Sequence, residues 1–182
     1  VCLGNPDMTP DAVGPLCAGH LLVTAHLKQA MPREFAFFRS VSVLRTGVLG
    51  TTGVESARLT RAVTELVRPA AVVAVDALAA ADASRLCRTI QITDAGIVPG
   101  SGVGNARSAL NRETLGVPVV AVGVPTVVDA AVLCGGRAPG EMFVTPRDID
   151  ARVREAARLT GYAVDLALHD GLTAADIEAL LS

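Results

Sequence analysis

The sequence predicts an α/β protein, a three-layer α/β/α sandwich around a mostly parallel sheet. Three observations carry this. The chain of 182 residues is 51% hydrophobic but only 3% aromatic, with no Trp. Its core is therefore built from Val, Leu, Ala and Ile, which suits parallel strands buried on both faces. Runs without a polar side chain at Val1 to Leu3, Ala71 to Val75 and Val117 to Val122 read as such strands. Helices, recognisable by their caps, alternate with them, as in a layered α/β arrangement. The length suits one domain over residues 1–182, and no repeat, low-complexity tract or linker interrupts it.

The elements follow in order. The chain opens at Val1, and "VCLGN" reads as the tail of a strand, so further residues are expected upstream. Pro15 to Lys28, rich in Leu and Ala, predicts a helix. Phe35 to Leu44 alternates in polarity and predicts a further strand. "TGVE" places Thr52 three residues before Glu55, a capping box for a helix towards Val67 that stops before Pro69. Arg88 to Thr93, "RTIQIT", predicts a strand with one wet face. "VAVGVPTVVDA" ends its strand with Gly123, Pro125 and Thr126 and continues into an apolar helix containing Asp129, whose expected role is helix-end charge balance. "TPRD" predicts an N-cap at Thr145, Pro146 in the first helical position and Asp148 in the first turn. Ile149, Val153, Ala156 and Ala157 then recur at helical spacing. "TAAD", Thr173 to Asp176, opens the last helix.

Composition also excludes. A net charge of -2 gives no nucleic-acid surface and no polybasic membrane patch. No apolar run approaches the length of a membrane span, and no signal peptide is visible. Cys2, Cys17, Cys87 and Cys134 are scattered without a CxxC pair and read as buried thiols of a reducing cytoplasm. His20, His26 and His169 form no HExxH or other paired ligand spacing, so no metal site and no cofactor are expected. No nucleophile elbow is present.

In open parallel sheets, ligands bind beyond the carboxyl ends of the strands. The first strand is followed by "GNPDMTPDAVGP", with Asp7 and Asp11; the next buried run is followed at once by Asp76. If the two strands are neighbours, Asp76 meets a carboxylate of the first loop. Two close carboxylates share a proton, so one can activate water while the other protonates a leaving amide. The same pair could hold a divalent metal. Plain structural roles are open too: Asp76 as an N-cap for "ALAA", and Asp11 as a first-turn acid. "GIVPGSGVGNARSALN" fits neither GxxxxGK[ST] nor GxGxxG. Its Gly96, Gly100, Gly102 and Gly104 suit either a turn-rich connection or a loop aiming N–H groups at an oxyanion or an extended peptide.

The blocks "LGNPDMTPDAVGP", "RTGVLGTTGVES", "VVAVDALAA", "TIQITDAGIVPGSGVGNARSALNRETLGVPVVAVGVPTVVDA", "MFVTPRDID" and "LALHDGLTAADIEALL" resemble the bacterial germination protease family, endopeptidases that degrade small acid-soluble spore proteins. The likeness covers nearly the whole chain. It implies a phosphorylase/hydrolase-like fold shared with hydrogenase maturation endopeptidases. It implies an aspartic-type mechanism, with the catalytic aspartates falling on Asp11 and Asp76. It also implies a zymogen with an N-terminal propeptide, a homotetramer, and a place in the cytoplasm of the spore. On this reading Gly100, Ser101, Gly102, Gly104, Asn105 and Thr126 contact substrate. Asp7 is an added acid beside the first aspartate, expected to raise the pKa of Asp11. Two other readings stand beside this one: a metal-dependent maturation endopeptidase of the hydrogenase type, and a catalytically silent homologue that binds or assembles. Retention of both Asp11 and Asp76 speaks against the silent homologue.

Overall fold

The computed structural model describes residues 1–104, 107–136 and 142–182. It is an α/β structure on a six-stranded, mostly parallel mixed sheet. The strands are β1 (Cys2–Leu3), β2 (Arg45–Gly47), β3 (Val72–Ala80), β4 (Gln91–Thr93), β5 (Val119–Asp129) and β6 (Phe143–Val144). Their order is β2-β1-β3-β5-β4, with β6 also pairing to β5. β1, β2, β3 and β5 run parallel, while β4 and β6 pair with β5 antiparallel.

The helices are α1 (Val13–Cys17), α2 (Ala25–Ala30), α3 (Leu49–Thr52), α4 (Ser56–Val67), α5 (Arg112–Leu115), α6 (Ala130–Leu133), α7 (Ile149–Leu168) and α8 (Ala174–Leu181). Alternation along the strands sends neighbouring side chains to opposite faces. Cys2, Val75, Val122 and Val124 join Val13, Cys17, Val153 and Ala157 in one apolar cluster. Leu3, Val72, Ala74 and Val119 join Ala57, Leu110 and Leu115 in another. Each face of the sheet thus carries its own core.

The two central strands are longer than their apolar runs. β3 continues through Asp76 to Ala80, because β5 also continues and pairs with it from Val72↔Val119 to Ala80↔Val128. Asp76 is therefore inside its strand, and Gly123, Pro125 and Thr126 lie within β5 rather than after it. Thr126 is the extra residue of a bulge between the pairs Leu78↔Pro125 and Ala79↔Val127. Asp129 ends β5 and caps α6, accepting a hydrogen bond from Ala131 N–H at 2.8 Å.

Several local expectations are corrected. Phe35 to Leu44 forms no strand; Lys28 Nζ donates to the carbonyls of Phe35, Ala36 and Phe38, at 2.6–3.2 Å, and curls the backbone around itself. Phe37 is left 94% exposed, which shows that the alternation there answers to no buried face. The strand β2 begins where that segment ends. Pro15 to Lys28 is two helices, α1 and α2, with a 3-10 turn at Ala18–His20. The break coincides with Leu22 N–H, which donates to the buried Asp165 carboxylate of α7. Thr52 closes α3 instead of capping α4, whose N-cap is Glu55. Asp148, not Thr145, holds the N-cap position of α7, its carboxylate accepting from Arg152 Nε and not from the helix backbone. β4 is exposed on both faces. The end of α4 before Pro69 and the Thr173–Asp176 capping box of α8 agree with the sequence reading.

Candidate active site

Asp76 lies where the sheet changes width. Cys2 of β1 pairs with Val75 of β3, and β1 stops one residue later. Asp76 thus has Gly123 of β5 on one side and the end of β1 on the other. The chain leaving β1 turns back through the 3-10 turn Thr9–Asp11 and brings Asp11 to the same place. Gly4 permits this turn: its φ is +113°, and a Cβ there would sit 2.0 Å from the Asp11 carbonyl oxygen. Gly14 lets α1 press on the strands, since a Cβ would lie 2.1 Å from the Leu3 carbonyl oxygen.

Hydrogen bonds fix both carboxylates through one oxygen each. Asp11 Oδ2 accepts from Asn5 N–H at 2.7 Å, and Asp76 Oδ1 accepts from Ala77 N–H at 3.0 Å. Thr126, buried in the β5 bulge, donates its hydroxyl to the Pro10 carbonyl at 2.6 Å. That bond ties the Asp11 turn to the sheet that carries Asp76.

Burial raises the pKa of Asp76 to about 7, with the charge of Asp11 as the second cause and the Ala77 hydrogen bond opposing. Asp76 is only 5% exposed, so its charged form loses nearly all its water. Burial also raises the pKa of Asp11, against the Asn5 hydrogen bond. Asp7 is exposed, its N–H bonded to Asn5 Oδ1 at 3.0 Å. Burial, not Asp7, is what lifts Asp11.

Asp11 and Asp76 line one cavity of about 630 Å³, in the size range of ligand pockets. Its walls include Met8 and Pro10, the Val48–Gly50 segment, Ala77 to Ala79, and Val98 to Val103. Gly100, Ser101, Gly102 and Thr126 are among the lining residues; Gly104 follows the 3-10 turn Ser101–Val103 and is not. Asn105 lies outside the described residues. Gly102 rests on β3, where a Cβ would come within 2.8 Å of Ala79 Cβ.

No histidine is among the lining residues. His169 is buried elsewhere, stacked edge-on against Phe38 and accepting Arg39 N–H at Nδ1. Among the described residues, no three His, Cys, Asp or Glu side chains gather as a metal site would require. Of the four thiols, Cys2 and Cys17 are buried in the same apolar cluster, whereas Cys87 is half-buried and Cys134 exposed, against the expectation of four buried thiols.

Sequence reasoning missed the Asn5 donor, the anchoring of Pro10 by Thr126 and the Val48–Gly50 wall. The Asn-Pro pair of "GNPD" is a turn signal that points to the first. The other two depend on contacts between distant segments and have no local signature.

A family model described as germination protease matches residues 1–137. A germination protease of Clostridium perfringens (strain SM101) is 35% identical over 223 aligned residues, covering 100% of this chain and 69% of the relative. One from Caldanaerobacter subterraneus subsp. tengcongensis is 37% identical over 222 residues, covering 100% and 68%. One from Bacillus cereus (strain AH187) is 53% identical over 131 residues, covering 71% of this chain and 36% of the relative.

Proposed function

This chain belongs to the germination protease family, and from that premise we propose that it is an endopeptidase that begins the breakdown of small acid-soluble spore proteins during germination, using Asp11 and Asp76 to activate water. The observation that carries the reading is the placement of two carboxylates, one of them buried with a pKa of about 7, on one cavity at the end of β1. A pair of this kind holds one proton at neutral pH. Asp11 is the base and Asp76, protonated, the acid. The water oxygen attacks the peptide carbonyl carbon as Asp11 takes one of its protons. Asp76 gives its proton to the departing nitrogen as the C–N bond breaks. Transfer of the proton from Asp11 to Asp76 restores the starting state. On this reading the reacting oxygens are Oδ1 of Asp11 and Oδ2 of Asp76, since the other oxygen of each accepts from Asn5 or Ala77 N–H.

Further parts of the proposal come from the family. They are a single-domain three-layer sandwich related to the hydrogenase maturation endopeptidases, activation from a zymogen, assembly as a homotetramer, and action in the cytoplasm of the spore. The two apolar clusters on opposite faces of the sheet support the layered part.

The test is incubation of the purified protein with a small acid-soluble spore protein, with and without a chelator, with products read by mass spectrometry. Cleavage should persist in chelator, and Asp11→Asn or Asp76→Asn should lower kcat about 10²-fold or more. Binding without cleavage would instead mark a silent homologue. Loss in chelator, restored by one metal, would move the chain to a metal-dependent mechanism of the hydrogenase type.

A further inference from the structure

β1 ends at Leu3, opposite the middle of β3, and beyond that point β3 continues without a strand on this edge. The ladder shows which groups that edge presents. Val75 N–H donates to the Val1 carbonyl at 2.8 Å, and the Val1 nitrogen to the Val73 carbonyl at 2.7 Å. Val72 N–H points the other way, to the Pro118 carbonyl on the β5 side. Odd-numbered residues of β3 therefore face β1, and Ala77 and Ala79 continue that series past its end. Ala77 N–H is turned to Asp76 Oδ1, which leaves the Ala77 carbonyl and the Ala79 N–H.

The opposite side of the gap is also formed. β2 pairs with β1 through Leu3↔Gly47, and the chain then runs on as Val48–Gly50 along the cavity wall. The gap is thus bounded by the edge of β3 on one side and by Val48 and the start of α3 on the other. Asp76 and Asp11 stand at its near end, and Gly102 closes on Ala79 at the other. Backbone groups along a sheet edge seek partners, and an extended polypeptide is the ligand whose spacing matches theirs.

We infer that the polypeptide substrate binds in this slot as an added strand, prolonging the line of β1 and exchanging backbone hydrogen bonds with the Ala77 carbonyl and the Ala79 N–H. The inference rests on the protease reading above and specifies the form of its substrate. The cleaved segment is extended and free of its own secondary structure, because only an extended chain with unpaired backbone groups matches the spacing of those on the β3 edge.

The test uses the full chain and synthetic peptides spanning the cleavage site, mapped on the digested small acid-soluble spore protein. One backbone amide at a time, away from the scissile bond, is N-methylated, and KM and kcat are measured. The Ala77 carbonyl and the Ala79 N–H engage one residue of an added strand, as Val73 and Val75 engage Val1. Methylation should therefore raise KM about tenfold or more at that residue's amide and change the neighbouring ones by less than about threefold. A flat profile, or loss at consecutive positions, overturns the added strand and leaves the protease reading standing. No cleavage of either the protein or the unmodified peptides overturns the protease reading and this inference with it.

Discussion

Asp76→Asn should destroy activity and yet make the protein more stable at neutral pH. Asp76 has a pKa of about 7 in the folded chain against an ordinary value of 3.8. The folded protein therefore keeps a proton that the unfolded chain releases between those values. Stability falls as pH rises through that window, because the unfolded state binds fewer protons there. At about 1.4 kcal/mol per pKa unit, the cost is near zero below pH 4 and grows to about 4 kcal/mol above pH 7. Asn stays neutral, keeps an oxygen for Ala77 N–H and removes the cost. Asp165, fully buried and raised to about 6 by burial, adds a second loss of about 3 kcal/mol that the substitution leaves in place. Urea unfolding at pH 4, 6 and 8 would measure this. The variant should match the wild type at pH 4 and exceed it at pH 8, with a shallower decline between. A variant no more stable than wild type at pH 8, or with an unchanged decline, would refute the buried-carboxylate account.

The rate of cleavage against pH should form a bell whose limbs belong to the Asp11–Asp76 pair, its alkaline side falling through about pH 7 as Asp76 loses its proton; a plateau at high pH would speak for a metal-bound hydroxide. Gly102→Val should raise KM with little change in the urea midpoint, since the added side chain meets Ala79 while the turn itself is exposed; simple unfolding of the variant would make the loop structural. Thr126→Val should cost about 1–3 kcal/mol by leaving the Pro10 carbonyl unpaired. It should also lower kcat, because the Asp11 turn loses its tie to β5; full activity would show that the tie does not position Asp11.

The sequence was most legible where local chemistry and burial agree. The apolar runs of β1, β3 and β5 read as strands because both faces are covered, and α8 announced itself because Thr173 and Asp176 satisfy each other's backbone partners. It was least legible where a side chain reaches outside its own element. Lys28 overrides the alternation of Phe35 to Leu44 from a helix 7 residues away, and Asp165 breaks Pro15 to Lys28 in two from 143 residues along the chain. The site divides the same way. A charge following an apolar run flagged Asp76, but residues alone left Asp7 and Asp11 equal. Family resemblance singled out Asp11. The structure independently places Asp11 on the cavity and leaves Asp7 in solvent.

The bulge at Thr126 has a bearing on how the molecule is assembled. Parallel pairing cannot begin with a tight hairpin, and Val72 must wait for Val119 to be made before the central ladder starts. Thr126 meets Pro10 only once that ladder has closed in the right register, and a slip of one residue would turn the hydroxyl to the other face. The turn bearing Asp11 is thereby locked late, by a residue from the far half of the chain. A nascent or misregistered polypeptide would hold both aspartates without holding them together, so hydrolytic competence would arrive with the completed sheet and not before it.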